Sequence, residues 1–452
     1  MPIDSEPLVL RGYRPSGAPA ALVVDPMPNS RAAAVGLWFD AGSAYEAPGE
    51  GGLSHFVEHM LFKGAGELDA AALSRVVDRE GGNLNAFTER ENVCLHCTIP
   101  AAKAELALRV LADMAYAPRL DPRDFELEKD IIVSEILAAD DDLEESGQDE
   151  FYAMSYPDQA IGRRIAGTAE AVAAHRFDSL VDFHRRRFVE GPVLMAAAGD
   201  VDLARLSALF YELVAVGSAP GYAPGSAPGS VSGAPGWGAA PPGSFVRERR
   251  LIRAPGSQVY FFTGLPLRGP LSEDDYWRLS VVSSAYGESM SSRLFMKLRE
   301  REGLCYSIGT SMSFSRLAGL WGVSSACSPA KFPRFAAAYE HEARLLHERG
   351  LSAEELSEAA GRIGGMVMVA SDDAEYRMNR AARQFLFSGE VESLAGSLER
   401  LGRPELGEPE AMAAYVRARL DPDREGMLMY GKLGKRVEAA AAAVFGAALS
   451  GD

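Results

Sequence analysis

Two histidines four residues apart, with a glutamate between them, stand in the string Gly51-Gly52-Leu53-Ser54-His55-Phe56-Val57-Glu58-His59-Met60-Leu61-Phe62. At about 100° of twist per residue, positions i, i+3 and i+4 of a helix share one face. His55 and His59 can then aim imidazole nitrogens at one spot, with the Glu58 carboxylate beside it. Those are two ligands and a base for a hydrolytic zinc ion. The order is H-x-x-E-H, the reverse of H-E-x-x-H. A solvated polar face is the alternative. It fits poorly, because Phe56, Val57, Met60, Leu61 and Phe62 make most of this helix apolar. Buried histidine and glutamate need partners, and a metal ion supplies them.

The segment Phe125-Glu126-Leu127-Glu128-Lys129-Asp130-Ile131-Ile132-Val133-Ser134-Glu135-Ile136-Leu137 offers a third ligand. Glu128 and Glu135 lie two helical turns apart, on a face bordered by Ile131 and Ile132. A carboxylate recurring among aliphatic residues is costly to bury unless it is bound. We assign Glu135 as the third zinc ligand and Glu128 as its support from behind. With 63 acidic residues in the chain, spacing alone does not single these two out.

In combination, these residues resemble the pitrilysin family of zinc peptidases, which includes insulin-degrading enzyme and mitochondrial processing peptidase. There too a ligand glutamate follows the inverted motif at a similar distance; here Glu135 comes 76 residues after His59. A second family glutamate, seven residues earlier, matches Glu128. Gly36-Leu37-Trp38-Phe39-Asp40-Ala41-Gly42-Ser43 resembles the family's strand before the metal helix, and Gly81-Gly82-Asn83-Leu84-Asn85-Ala86-Phe87-Thr88 its edge strand. Gly162-Arg163-Arg164-Ile165-Ala166-Gly167-Thr168 is a further shared stretch. Leu298-Arg299-Glu300-Arg301-Glu302-Gly303-Leu304-Cys305-Tyr306 resembles the family's arginine–tyrosine pair near the zinc.

The resemblance implies two homologous α+β domains of the mitochondrial processing peptidase type. It implies one zinc ion per chain on His55, His59 and Glu135, with Glu58 as base. Peptide substrate would add as a strand to the edge at Asn85, Ala86, Phe87 and Thr88, and Arg299 and Tyr306 would hold it or stabilise the oxyanion. Family members work as clamshells. A two-domain chain with both half-sites is therefore expected to form a homodimer with two composite sites. The rival expectations are a catalytic subunit of a heterodimeric processing peptidase, and a non-catalytic peptide-binding or scaffold relative.

Composition is that of a globular protein, with 47% hydrophobic and 24% charged residues. Length alone suggests about three domains. No apolar span is long enough to cross a membrane, and the first residues lack the marks of a signal or transit peptide, so a cytoplasmic protein is expected. The net charge of −17 argues against nucleic acid as a partner and favours basic peptides. Four cysteines make no disulfide framework. Cys94 and Cys97 read as strand residues on opposite faces rather than a metal pair. His175, His184, His341 and His347 lie in charged helical stretches and read as surface or capping residues.

A Gly/Pro/Ala/Ser-rich stretch, 217–244, reads as a linker. It separates an N-terminal zinc-binding domain, 1–216, from a C-terminal domain, 245–452, that carries Arg299 and Tyr306. The halves echo each other: 74–82 and 296–304 each read as helix, glycine stop and strand. Strands are expected at 32–38, 85–99, 193–199, 258–264, 306–314 and 320–326. Helices are expected at 70–79, 101–116, 124–137 and 333–349.

Overall fold

The computed structural model describes residues 6–214, 242–267, 272–446 and 448–449. Its residues form two compact units. The first draws on Met1–Leu137, Arg163–Pro241 and Met368–Gly396; the second on Ala138–Gly162, Pro242–Val367 and Ser397–Asp452. The units do not follow chain order alone. Each takes a helical segment from the other half of the sequence. The expected linker lies outside the described residues from 217 to 241. Its last residues, 242–244, are bonded into the second unit, where the Gly243 N–H donates to the Leu317 carbonyl at 2.7 Å.

Six strands build the first sheet: β1 (Leu8–Tyr13), β2 (Pro19–Pro26), β3 (Ala32–Phe39), β4 (Asn83–Thr88), β5 (Val93–Pro100) and β6 (Val193–Gly199). Their order is β1-β2-β6-β3-β5-β4. Only β2 and β6 run parallel; the other neighbours are antiparallel. The central strands are almost wholly buried. They read as continuous apolar runs because helices cover both faces of the sheet.

Alternation sorts the side chains between those faces. Leu22, Val24, Val35, Leu37, Phe39, Leu95 and Cys97 face a core shared with helices α1 (Leu53–Leu61), α2 (Ala70–Asp78), α3 (Ala104–Tyr116) and α4 (Pro122–Asp141). Ala21, Val23, Ala34, Trp38, Cys94, Ala196 and Ala198 face the other way. These mostly small residues leave room for Ala374–Ser388, a helix from the second half of the sequence, which lays Met378, Ala381, Ala382 and Phe385 on them. Gly36 leaves a similar gap: an added Cβ would meet the Trp38 ring at 2.6 Å. Cys94 and Cys97 do occupy opposite faces, and both thiols are free.

The second sheet contains β7 (Arg249–Arg253), β8 (Val259–Leu267), β9 (Ser307–Ser313), β10 (Gly319–Cys327), β11 (Gly426–Gly431) and β12 (Ala448–Leu449), in the order β9-β10-β8-β11-β7-β12. The first sheet reads β4-β5-β3-β6-β2-β1 from its other end. Strand for strand, the five leading positions match in sequence order and direction, which is the signature of two homologous α+β domains. A helix at Leu143–Ser155 packs on the second sheet so closely that a Cβ on Gly147 would meet the Phe262 ring at 2.6 Å.

Three expectations need correction. The strand expected over 85–99 is a hairpin, β4 and β5, because the polar run 89–92 turns and the Glu89 N–H donates to the Asn92 carbonyl at 2.7 Å. The helix expected from residue 101 opens with a short 3₁₀ turn and becomes α-helical at Ala104. His175 and His184 are buried rather than surface residues, while the capping half of that reading holds for His175, the C-cap residue of its helix. His175 follows the last residue of the helix Ala169–Ala174, and its Nε2 lies 2.8 Å from the Gly51 carbonyl; His184 Nε2 lies 2.8 Å from the Ala115 carbonyl. Among the described residues, no helix is long and apolar enough to cross a membrane.

The covering helix Ala374–Ser388 is tied to the sheet by a buried ion pair. Arg377 Nε donates to Asp25 Oδ2 at 2.8 Å and its NH2 group to Oδ1, with both residues nearly inaccessible. Removing one partner strands a buried charge, a loss of about 3–5 kcal/mol. Arg377→Leu should therefore lower unfolding stability by that order in a urea titration. The double variant Asp25→Leu/Arg377→Leu should recover a large part of it; equal losses in both would show that the pair is not what ties the helix down.

Candidate metal centre

Helix α1 begins at Gly52, whose φ of 88° is left-handed and suits glycine. A Cβ there would meet the Ala166 carbonyl at 2.5 Å. From this start the helix buries Leu53, Phe56, Val57, Met60 and Leu61. His55, Glu58 and His59 take the remaining face and stay partly accessible. Helix α4 lies alongside, joined by Phe56 and Phe125, whose rings stack at 4.6 Å with planes 2° apart. That contact sets α4 so that Glu128 and Glu135 both reach the histidines.

The distances define a compact site. His55 Nε2 and His59 Nε2 are 3.2 Å apart. Glu135 places one oxygen 3.7 Å from His55 Nε2 and the other 3.5 Å from His59 Nε2. The three groups present ligand atoms all within 4.8 Å of one another. A tetrahedral zinc ion with bonds of about 2.0–2.2 Å holds neighbouring N and O ligands roughly 3.3–3.5 Å apart. The spacing therefore fits the ion. Glu135 is half-exposed and Glu128 is buried.

Behind the ligands, Glu128 Oε2 lies 2.9 Å from His59 Nδ1, and Lys63 pairs with the other Glu128 oxygen. The carboxylate fixes the proton on Nδ1 and turns the Nε2 lone pair towards the shared point. His55 differs: its Nδ1 is buried without a hydrogen-bond partner among the described residues. Burial pushes the His55 imidazole down to about 4, helped by nearby His59 and opposed by Glu135. A neutral imidazole is the form that can bind metal.

Glu58 sits at the same opening, accepting a hydrogen bond from the Thr88 hydroxyl. Burial raises its carboxyl from the ordinary value, against the lowering effect of Thr88. Strand β4 is an outer edge of the first sheet. Asn85 is exposed on it, and Ala86 and Phe87 are half-buried. Thr88 thus links the edge strand to Glu58, a contact that the reading of 85–88 as a substrate edge did not foresee. Lys63 was also unforeseen, although it lies one turn beyond His59, where helical spacing could have found it.

Arg299 and Tyr306 belong to the second unit. Arg299 lies in the wide helical turn Phe295–Arg301, its guanidinium 4.4 Å from the Phe295 ring centre. Tyr306 immediately precedes β9, is anchored by its N–H to the Ala326 carbonyl at 2.8 Å, and leaves its side chain 76% exposed.

Comparison with known proteins identifies the family. The family model described as "Insulinase (Peptidase family M16)" matches residues 22–169, and that described as "Peptidase M16 inactive domain" matches 176–362. The chain is 30% identical over 412 residues to an uncharacterized zinc protease of Streptomyces coelicolor, covering 88% of this chain and 85% of that one. It is 30% identical over 400 residues to an uncharacterized zinc protease of Mycobacterium tuberculosis, covering 88% and 89%. In fold it is similar to the solved peptidase M16 inactive domain from Pseudomonas fluorescens, with a TM-score of 0.79, 16% identity and coverage of 94% and 98%. With two α+β units of matching strand order and relatives named as zinc proteases along most of its length, the chain belongs to the M16 (insulinase) family of peptidases.

Proposed function

We propose that this chain is a zinc-dependent endopeptidase acting on extended peptide segments, with one ion held by His55, His59 and Glu135. The convergence of those three side chains beside Glu58 carries the reading. When bound, zinc polarises the scissile carbonyl and makes a water acidic enough to react near neutral pH. Glu58 would serve as the base that removes a proton from an attacking water and returns it to the leaving amine. Thr88 holds that carboxylate in place.

The substrate adds to the open edge of β4, at Asn85, Ala86, Phe87 and Thr88, by main-chain pairing. Such pairing accepts many sequences but demands an extended chain. A net charge of −17 draws basic peptides. Arg299 and Tyr306 grip the substrate backbone and stabilise the developing oxyanion. Because one chain carries both halves of this machinery, two chains form a homodimer whose sites each use residues from both.

Glu58→Gln should keep zinc but lose on the order of 10²–10⁴ in turnover, since only the base is removed. Hydrolysis of a quenched, unstructured basic peptide measures this, with a chelator control; near-normal kcat removes Glu58 from the role. Glu128→Gln should weaken zinc binding by about 10–100-fold through loss of His59 orientation. A competition titration against a chelator reads it, and an unchanged affinity would show that Glu128 does not position the ligand. For the composite site, Glu58→Gln and Arg299→Ala proteins are mixed and allowed to exchange subunits. Activity above either parent is expected; none would leave the heterodimeric subunit as the better reading.

A further inference from the structure

The two histidines of the centre are held differently. Glu128 orients His59 through Nδ1, while His55 Nδ1 has no hydrogen-bond partner among the described residues. The position of His55 therefore depends on the backbone of the first turn of α1, where it is the third residue. Helix starts leave N–H groups unsatisfied, and a side chain at the N-cap usually takes them. Here the N-cap is Gly52, which has no side chain to offer.

Glu46 does this from outside the usual window. Its carboxylate accepts the Ser54 N–H at 2.9 Å on one oxygen and the Gly52 N–H at 3.1 Å on the other. The residue is only 3% exposed. Burial pushes its carboxyl up to about 7, although both N–H groups favour the charged form. So much buried polarity needs a held loop, and three arginines hold it. Arg163 donates to the Glu46 and Ala47 carbonyls at 2.9 and 3.2 Å, and Arg187 to the Tyr45 carbonyl at 2.7 Å. Arg186 pairs with Glu50, whose other oxygen accepts the Ala47 N–H at 2.8 Å. The shared stretch 162–168 thus acquires a part: Arg163 clamps the loop, and Ala166 closes on Gly52.

We propose that Glu46 is the positioning residue for His55, fixing the first turn of α1 so that the imidazole meets the ion without a hydrogen-bonded partner of its own. Glu46 touches neither the reacting atoms nor the ion. It acts through the Ser54 and Gly52 N–H groups. The inference rests on the zinc peptidase reading.

The test uses the full-length chain as wild type, Glu46→Gln and Glu46→Ala. It measures zinc affinity by chelator competition, the visible spectrum of the cobalt(II)-loaded protein, thermal stability and peptide hydrolysis. Glu46→Ala should weaken zinc by about tenfold, the lower end for residues that support ligands, and change the cobalt spectrum. Its kcat should fall more than its KM changes. Glu46→Gln, which keeps one oxygen acceptor, should lie between. Arg377→Leu serves as a control for lost stability alone, and should keep wild-type zinc affinity and spectrum. If Glu46→Ala loses stability but keeps the wild-type affinity and spectrum, the residue is only structural and the proposal falls. If Glu46→Ala does not fold, the Gln variant decides by the same two readouts. A wild-type chain that binds neither zinc nor cobalt overturns the metal reading itself, a result separable from any effect of Glu46.

Discussion

The rest of the first unit depends on one constraint: helix α1 must be core on one side and polar on the other, within nine residues. A helix that short is marginal by itself, so its stability comes from packing. Leu53, Phe56, Val57, Met60 and Leu61 supply that packing. They leave no freedom to rotate the helix and bring a different face to the opening. Once the apolar side is seated, His55, Glu58 and His59 have one direction left. The Phe56–Phe125 stack then carries the same constraint to α4, and with it the placement of Glu128 and Glu135.

Electrostatics works in the same direction. Two imidazole nitrogens 3.2 Å apart beside a carboxylate crowd electron-rich groups into one spot, where in the bare protein the nitrogens can at most share one hydrogen between them. Glu128 cannot relieve this, since it accepts the proton on the far side of His59. Such a cluster makes sense as a site preorganised for a cation. The buried Glu128, flanked by Lys63 as well as His59, has its own charge compensated, so it need not compete for the ion.

How legible was this from residues alone? The motif helix and the Glu128/Glu135 face were readable, because helical periodicity acts over a few residues. Strand β6 was readable over its full length, 193–199, as an uninterrupted apolar run. What escaped depends on distance along the chain. The helix Ala374–Ser388 covers the first sheet through Arg377, which meets Asp25 across 352 positions. Nothing local announces that partner. The alanines of β3 and β6 carried only a faint hint, in being small where a buried strand could hold larger residues. Glu46 escaped for a different reason. Capping patterns look one residue before the helix and three within it, and a carboxylate six residues before the N-cap falls outside that window.

The repeated sheet order shows one scaffold built twice with different side chains at corresponding places. Both sheets place matching strands in matching order, so duplication fixed the scaffold. Between β3 and β4 of the first unit lies α1 with its histidines. Between β8 and β9 of the second lies Glu273–Ser283, which buries Trp277, Leu279, Val281 and Val282 and carries no histidine. Following it, the wide turn at Phe295–Arg301 presents Arg299, and Tyr306 stands exposed at the mouth of β9. An exposed tyrosine ahead of a strand adds nothing to the core, and its anchored backbone fixes where its side chain begins. The second unit thus repeats the strand order with no histidine on the corresponding helix.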